Sequence, residues 1–266
     1  GLAKRPEPAL ALDSRFADAL TGYAAVEAIA QERNLPRLTL HALTFQGTLR
    51  STTNDQFDPE QAQELAERGL ALAHSLNDEV AEARIRWNQV NLYRLYDEKR
   101  AIDMGQRAIE LARKHGLREL EAFVLNDIVH VYGSLGQMEE TRKAAQAAQT
   151  LWRELGNQTM LADSLSTLAL YDTIGGALDK ALAETSEAFA ISQRSENLWG
   201  LSYSQHMVGL IHWLRGNVSD ALAVLEGAIH YGDLAGFLVA QVLDRIWYAE
   251  TLIHLGAGQR AREVMD

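Results

Sequence analysis

Apolar residues recur along most of this chain at steps of three and four. Between residues 118 and 135 they fall at Leu120, Phe123, Val124, Ile128, Val131, Tyr132 and Leu135. Between 218 and 235 they fall at Val218, Leu222, Leu225, Ile229 and Leu234. That spacing lays one wide apolar face along an α-helix. Glycines punctuate the pattern: Gly136, Gly176, Gly216 and Gly256 stand 40 residues apart. Thr141, Ala181, Ala221 and Ala261 follow five residues after them, and one period earlier Tyr96 and Ala101 occupy these places. A second series of stops reads Asn34, Asn77, Gly116, Gly156, Asn197 and Gly236. Gly and Asn close helices in the left-handed conformation. Each period therefore holds two helices of about 17 residues, each roughly 27 Å long at 1.5 Å per residue.

The pattern predicts first helices near 36–50, 78–96, 118–135, 158–175, 198–215 and 238–255. Second helices are predicted near 59–76, 99–115, 138–155, 178–195 and 218–235, with one more beginning at 258. Loops of two to four residues make neighbouring helices antiparallel. Small residues recur where a second helix approaches: Ala101/Ala108, Ala144/Ala148, Ala181/Ala188 and Ala221/Ala228. Residues 51–58 form the one long polar loop, and Asp58 before Pro59 reads as an N-cap followed by proline in the first turn. One helix hairpin cannot bury its own apolar face, so hairpins stack. The expected fold is an all-α, right-handed α-solenoid of antiparallel helix hairpins, with about six repeats plus an N-terminal helix. It is read as a single domain over 1–266. Residues 1–8 are a tail and 9–33 the first helix. Repeats follow at 36–77, 78–116, 118–156, 158–197, 198–236 and 238–266, the last incomplete. The broken last repeat implies a longer polypeptide, with further domains beyond this segment, or a disordered tail.

Composition narrows the chemistry. Prolines stop at Pro59, and the hydrophobic fraction is 47%, which suits helices around a large core rather than disorder. There is no cysteine, so disulfides, thiolate metal sites and cysteine nucleophiles are excluded. The cytoplasm is the simplest compartment. The formal net charge of −11 repels phosphate, so direct nucleic-acid binding by this segment is not expected. No stretch has the length and apolarity of a transmembrane helix, and no signal-peptide core follows Gly1.

Tyr132-x3-Gly136-x4-Thr141-x6-Ala148 resembles the tetratricopeptide signature, as does Gly209 with Gly216-x4-Ala221-x6-Ala228. The closer resemblance is to the long, forty-residue variety. That variety occurs in the sensor region of the maltose-regulon activator class of bacterial regulators, in large signalling ATPases and in peptide-sensing regulators. It covers the chain from about residue 15. The usual late proline of each repeat is missing, and Asn88 and Asn91 stand where apolar residues belong. HEAT-type repeats are the rival fold, but their helix-kinking proline is also missing.

No catalytic constellation has convincing spacing. Gly175-Gly176 lacks the Lys-Ser/Thr of a phosphate loop, and His206 and His212 are six apart, on different helix faces. Asp163 and Glu250 stand about two repeats apart, too far for concerted acid–base work at roughly 10 Å per helix layer. The chain is therefore expected to be no enzyme and to need neither metal nor cofactor.

The resemblance implies that first helices line a concave groove. Carried over by the period, that groove takes Arg86, Tyr93, Asn126, His130, Asp163, Ser166, Tyr203, His206 and Trp213. Polar groups among aromatic rings suit a ligand groove, and Arg86 with Asn126 would hold a carboxylate or phosphate. The plainer reading pairs Arg86 with Glu82 on a solvated helix face and leaves the histidines and rings to packing. Asn126 and Asp127 sit mid-helix, where propensity disfavours them, and such local conflicts collect at functional sites. Two roles follow. One is the effector- or partner-sensing solenoid of a cytoplasmic bacterial transcriptional or signalling regulator. The other is a scaffold that holds a peptide or helix of another protein, or a second copy of itself.

Overall fold

The computed structural model describes residues 16–52, 54–236 and 240–265. Among them are thirteen helices and no strand. We number them α1 (Phe16–Glu32), α2 (Pro36–Ser51), α3 (Pro59–Leu76), α4 (Glu79–Tyr93), α5 (Glu98–Lys114) and α6 (Arg118–Ser134). Then come α7 (Met138–Leu155), α8 (Gln158–Ile174), α9 (Leu178–Arg194), α10 (Leu198–Leu214) and α11 (Val218–Ala235). A π-helical turn at Ala240–Asp244 leads into α12 (Arg245–His254), and α13 is Gly258–Met265. The chain divides into two compact units, the first ending at Leu135 and the second beginning at Gly136.

Local chemistry explains the helix limits. Asp58, Asp78, Asp97 and Asn157 each accept the N–H three residues on, at 3.0–3.1 Å. These side chains satisfy donors that a helix start would leave unpaired. The polar loop before α3 is closed by the Asp58 N–H to the Arg50 carbonyl at 3.0 Å and by Asn54 Nδ2 to the Leu49 carbonyl at 2.9 Å. Helix ends use positive φ at Asn34 and Asn77 (both 52°) and at the glycines of both series.

Three details depart from the expected pattern. The left-handed residue after α9 is Glu196, with φ 52°, and Asn197 is extended at φ −81° and ψ 94°. The stops at 116, 156, 196 and 236 therefore keep the forty-residue step, and one falls on a residue with a Cβ. Helix α4 ends at Tyr93, short of the expected Tyr96. No left-handed glycine is available there, and a turn closes on the Tyr93 carbonyl, which accepts the N–H groups of Tyr96 and Asp97. The expected helix 238–255 is in its described part a π-turn followed by α12. The N-terminal part of the first helix, 9–15, lies outside the described residues.

Within each unit, first and second helices behave differently. The first helices touch along the stack: α2 meets α4, α4 meets α6, α8 meets α10, and α10 meets the π-turn. Second helices stand farther apart, and α7 reaches α9 through the long side chains of Arg153 and Glu187, 3.0 Å apart. The small residues sit where hairpins close. Ala101, Ala108, Ala148, Ala181, Ala188, Ala221 and Ala228 are fully buried. At Gly209 an added Cβ would lie 2.7 Å from Leu225 Cγ on α11. Large side chains such as Ile85, Leu111, Trp152, Leu168 and Ile211 fill the space between layers.

Candidate functional site

In the first unit, α4 and α6 bring polar side chains together on the inner-helix side. Trp87 donates its indole N–H to Asp127 Oδ2 at 2.6 Å, and Asn91 Nδ2 donates to the same oxygen at 2.9 Å. The Asn126 side chain also bonds the carboxyl, and the Arg94 guanidinium attracts it. Burial pushes the Asp127 carboxyl up, and these donors and the arginine pull it back. Trp87 packs on Phe123 with ring centroids 5.2 Å apart. One turn on, burial and the neighbouring Arg94 hold His130 down at about 3. His130 is therefore a neutral imidazole near pH 7, able to donate from one nitrogen and accept at the other. The cluster offers a fixed carboxylate, a guanidinium, amides, a neutral imidazole and ring faces. That set suits recognition of a partner's amides and side chains better than bond-breaking chemistry.

The expected groove residues divide by where α4 turns. Asn126 and His130 belong to the Asp127 cluster. Arg86 and Tyr93 point instead toward second helices. Arg86 Nη1 reaches Gln89 Oε1 and Met104 Sδ, both at 3.1 Å, and its Nε lies 3.7 Å from Glu82. Tyr93 is buried, donates to Gln63 Oε1 at 3.3 Å and carries Arg100 over its ring at 4.2 Å. The cause is the short second period. Asn77 and Gly116 are 39 residues apart, so α4 starts one residue out of step and Trp87, not Arg86, matches Asn126. Asn88 fills the α2–α4 seam, donating to the Thr44 carbonyl at 2.9 Å and accepting from Thr48 Oγ1 at 2.9 Å. The asparagines at 88 and 91, set where apolar residues belong, were the sequence signal for this face. Trp87 had none.

In the second unit Asp163, Tyr203 and Trp213 are half-buried, and Ser166 is buried. His206 is buried and bonds Asp244, the last residue of the π-turn, through Nδ1. Burial pushes the Asp244 carboxyl up, and His206 and Arg245 oppose it. Trp213 meets Trp247 edge-on at 5.1 Å. Elsewhere in this unit, Asp172 is fully buried and takes Arg142 Nε at 2.9 Å and Lys180 Nζ at 2.8 Å. Lys180 also lies 3.5 Å from Glu184, whose carboxyl burial and Asp172 push up to about 7. Among the described residues no group of three His, Cys, Asp or Glu side chains could hold a metal ion, and no helix is long and apolar enough to cross a membrane.

No protein-family profile matches the chain, and no curated protein matches it in sequence. Solved structures match its shape. A Rap protein complexed with competence and sporulation factor aligns with TM-score 0.71 at 16% identity, covering 97% of this chain and 75% of that one. Aspartyl phosphate phosphatase F from Bacillus subtilis aligns at 0.66 and 12% identity, covering 89% and 72%. A signal transduction ATPase with a tetratricopeptide repeat sensor, from Pyrococcus horikoshii, aligns at 0.61 and 16% identity, covering 94% of this chain and 41% of that one. At these identities the likeness is one of fold: the chain has a tetratricopeptide-like helical-repeat fold.

Proposed function

We propose that this chain is a non-catalytic module that binds a protein or peptide partner through the inner helices of its hairpins. The Asp127 cluster carries the proposal. A carboxyl group buried against Trp87, Asn91 and Asn126 between two helices stabilises the fold less than apolar residues would. Recognition of a partner is the role we assign to it. The structural neighbours support the same reading, since one is described as complexed with a factor and another as carrying a sensor. In the finer form of this reading, the module is the sensing solenoid of a cytoplasmic bacterial transcriptional or signalling regulator, with its switch domains elsewhere in the polypeptide. Partner binding would then bias how the hairpins stack, and the bias would pass to those domains. The phosphatase among the neighbours is similar to this chain in fold alone.

The test is isolation of the tagged chain from its native host beside the Trp87→Phe/Asp127→Asn variant, with bound material identified by mass spectrometry. A peptide or protein retained by the wild type and reduced about tenfold in the variant supports the inner face. A small molecule lost in the variant points to an effector sensor. A protein held equally by both makes the chain a scaffold whose contact lies elsewhere and overturns the site.

A further inference from the structure

The inner helices of the two units differ in charge. α8 and α10 contain neither Lys nor Arg, and the only one in α12, Arg245, is paired with Asp233 at 2.7 Å. In the first unit α2 and α4 carry Arg37, Arg50, Arg84 and Arg86. Residues 136–266 hold nine Lys and Arg against 16 Asp and Glu. A partner's cations therefore meet no competing positive side chain along α8 and α10.

The same helices are rich in partly open aromatic surface. Trp199 packs on Tyr203 at 5.4 Å, and Trp213 joins α10 to Trp247 of α12 at 5.1 Å. All four rings are half-buried and keep some surface in solvent. Ile246, next to Trp247, is 44% exposed. Asp163 stands one period before Tyr203, and the Glu250 side chain on α12 is 56% exposed. An indole or phenol face attracts a guanidinium or ammonium group, and the long stem of Lys or Arg packs along the ring while its head reaches a carboxylate. Exposed apolar surface beside such rings takes the neighbouring aliphatic residues.

We propose that the inner-helix face of the second unit, marked by Asp163, Trp199, Tyr203, Trp213, Trp247 and Glu250, docks a cationic segment of a partner protein in which Lys or Arg alternates with apolar residues. This rests on the reading of the chain as a partner-binding module and adds the chemistry of the partner. Charge complementarity selects the occupant. An acidic segment would bring its carboxylates against Asp163 and Glu250, and like charges so placed cost affinity.

The test selects binders to the whole immobilised chain from a phage-displayed library of random dodecapeptides. Selected peptides are then titrated against the wild type and the variants Glu250→Lys, Trp199→Ala and Asp127→Asn. Circular dichroism and thermal melting confirm that each variant folds, and the exposed site of Glu250→Lys keeps that variant usable. The expected result is a consensus enriched in Lys and Arg between aliphatic residues, weakened about tenfold by Glu250→Lys and by Trp199→Ala. An acidic or uncharged consensus, or one indifferent to Glu250→Lys, overturns the inference. If binders respond only to Asp127→Asn, the partner-binding reading stands and this surface falls. If no binder emerges, both fall.

Discussion

Trp87 and Asp127 stand 40 residues apart in sequence and are joined by a 2.6 Å bond from the indole N–H to the carboxylate. One turn along α4, Asn91 reaches the same oxygen from a separation of 36 residues. Successive first helices are thus held by side-chain polar bonds as well as by apolar packing. Trp87→Phe keeps a ring against Phe123 and removes one donor. It should cost about 1–3 kcal/mol, the penalty for leaving a buried polar group short of a partner. Urea denaturation at neutral pH checks this, and an unchanged midpoint would mean that the bond contributes nothing net.

The ring of His130 is expected to stay neutral through the range in which ordinary histidines titrate, because its value is held down at about 3. The unfolded chain takes up a proton near the usual value of 6.5 and the folded chain does not. The stability that His130 contributes is therefore complete above about 6.5 and is lost as pH falls toward 3. NMR of ring-labelled histidine would follow this directly. A midpoint between 6 and 7, the range in which a free imidazole titrates, would show that water reaches the ring freely.

Glu184 acts with the opposite sign. Its carboxyl is pushed up to about 7 from an ordinary 4.5, so the folded chain holds this proton more tightly than the unfolded one. Its contribution is full below 4.5 and is lost as pH rises through 7. Solvent at its edge reduces the effect to about 1–2 kcal/mol. Glu184→Gln should flatten the stability profile between pH 5 and 8 and leave the variant more stable than the wild type at the alkaline end. Thermal melts across that range would decide it, and parallel profiles for the two proteins would contradict it.

Two backbone positions make opposite predictions. Glu196 occupies the left-handed region that glycine fills at 116, 156 and 236. Glu196→Gly should stabilise the second unit by up to about 1 kcal/mol, because relief of the Cβ strain exceeds the added freedom of the unfolded chain. At Gly209 a methyl group would lie 2.7 Å from Leu225 Cγ, with the α11 backbone at Ala221 just behind, so Gly209→Ala should cost about 1–3 kcal/mol. Calorimetry on both variants tests the pair.

Incubation with acetyl phosphate, an acyl phosphate like the aspartyl phosphate in one neighbour's name, should release phosphate at the rate of buffer alone. Release that depends on Asp127 or His206 would show that the inner face turns over substrate and would end the non-catalytic reading.

The forty-residue period made helix limits and closing alanines legible from the sequence, because glycine at a left-handed stop and alanine at a close helix contact are sterically required. The register of α4 was not legible to the residue. The interval from Asn77 to Gly116 is one short, and that single residue exchanged the places of Arg86 and Trp87. The stop at Glu196 was hidden because a charged residue with a Cβ carries no sign of positive φ, and Asn197 beside it drew the reading. Asp127 was legible as a conflict with helix propensity. Its partners were not, since a bond across 36 or 40 residues leaves no local trace.

First helices pack closely on one another along each unit, while second helices stand farther apart, α7 and α9 being linked by the half-exposed Arg153–Glu187 pair. A sideways load on either unit would therefore meet unequal resistance. The inner edge is tied by buried side-chain bonds, while the outer edges of α7 and α9 can fan apart at the cost of a solvent-exposed ion pair, which is worth little. Each unit is a leaf spring with one stiff seam, and a partner gripping that seam would set the splay of the opposite side.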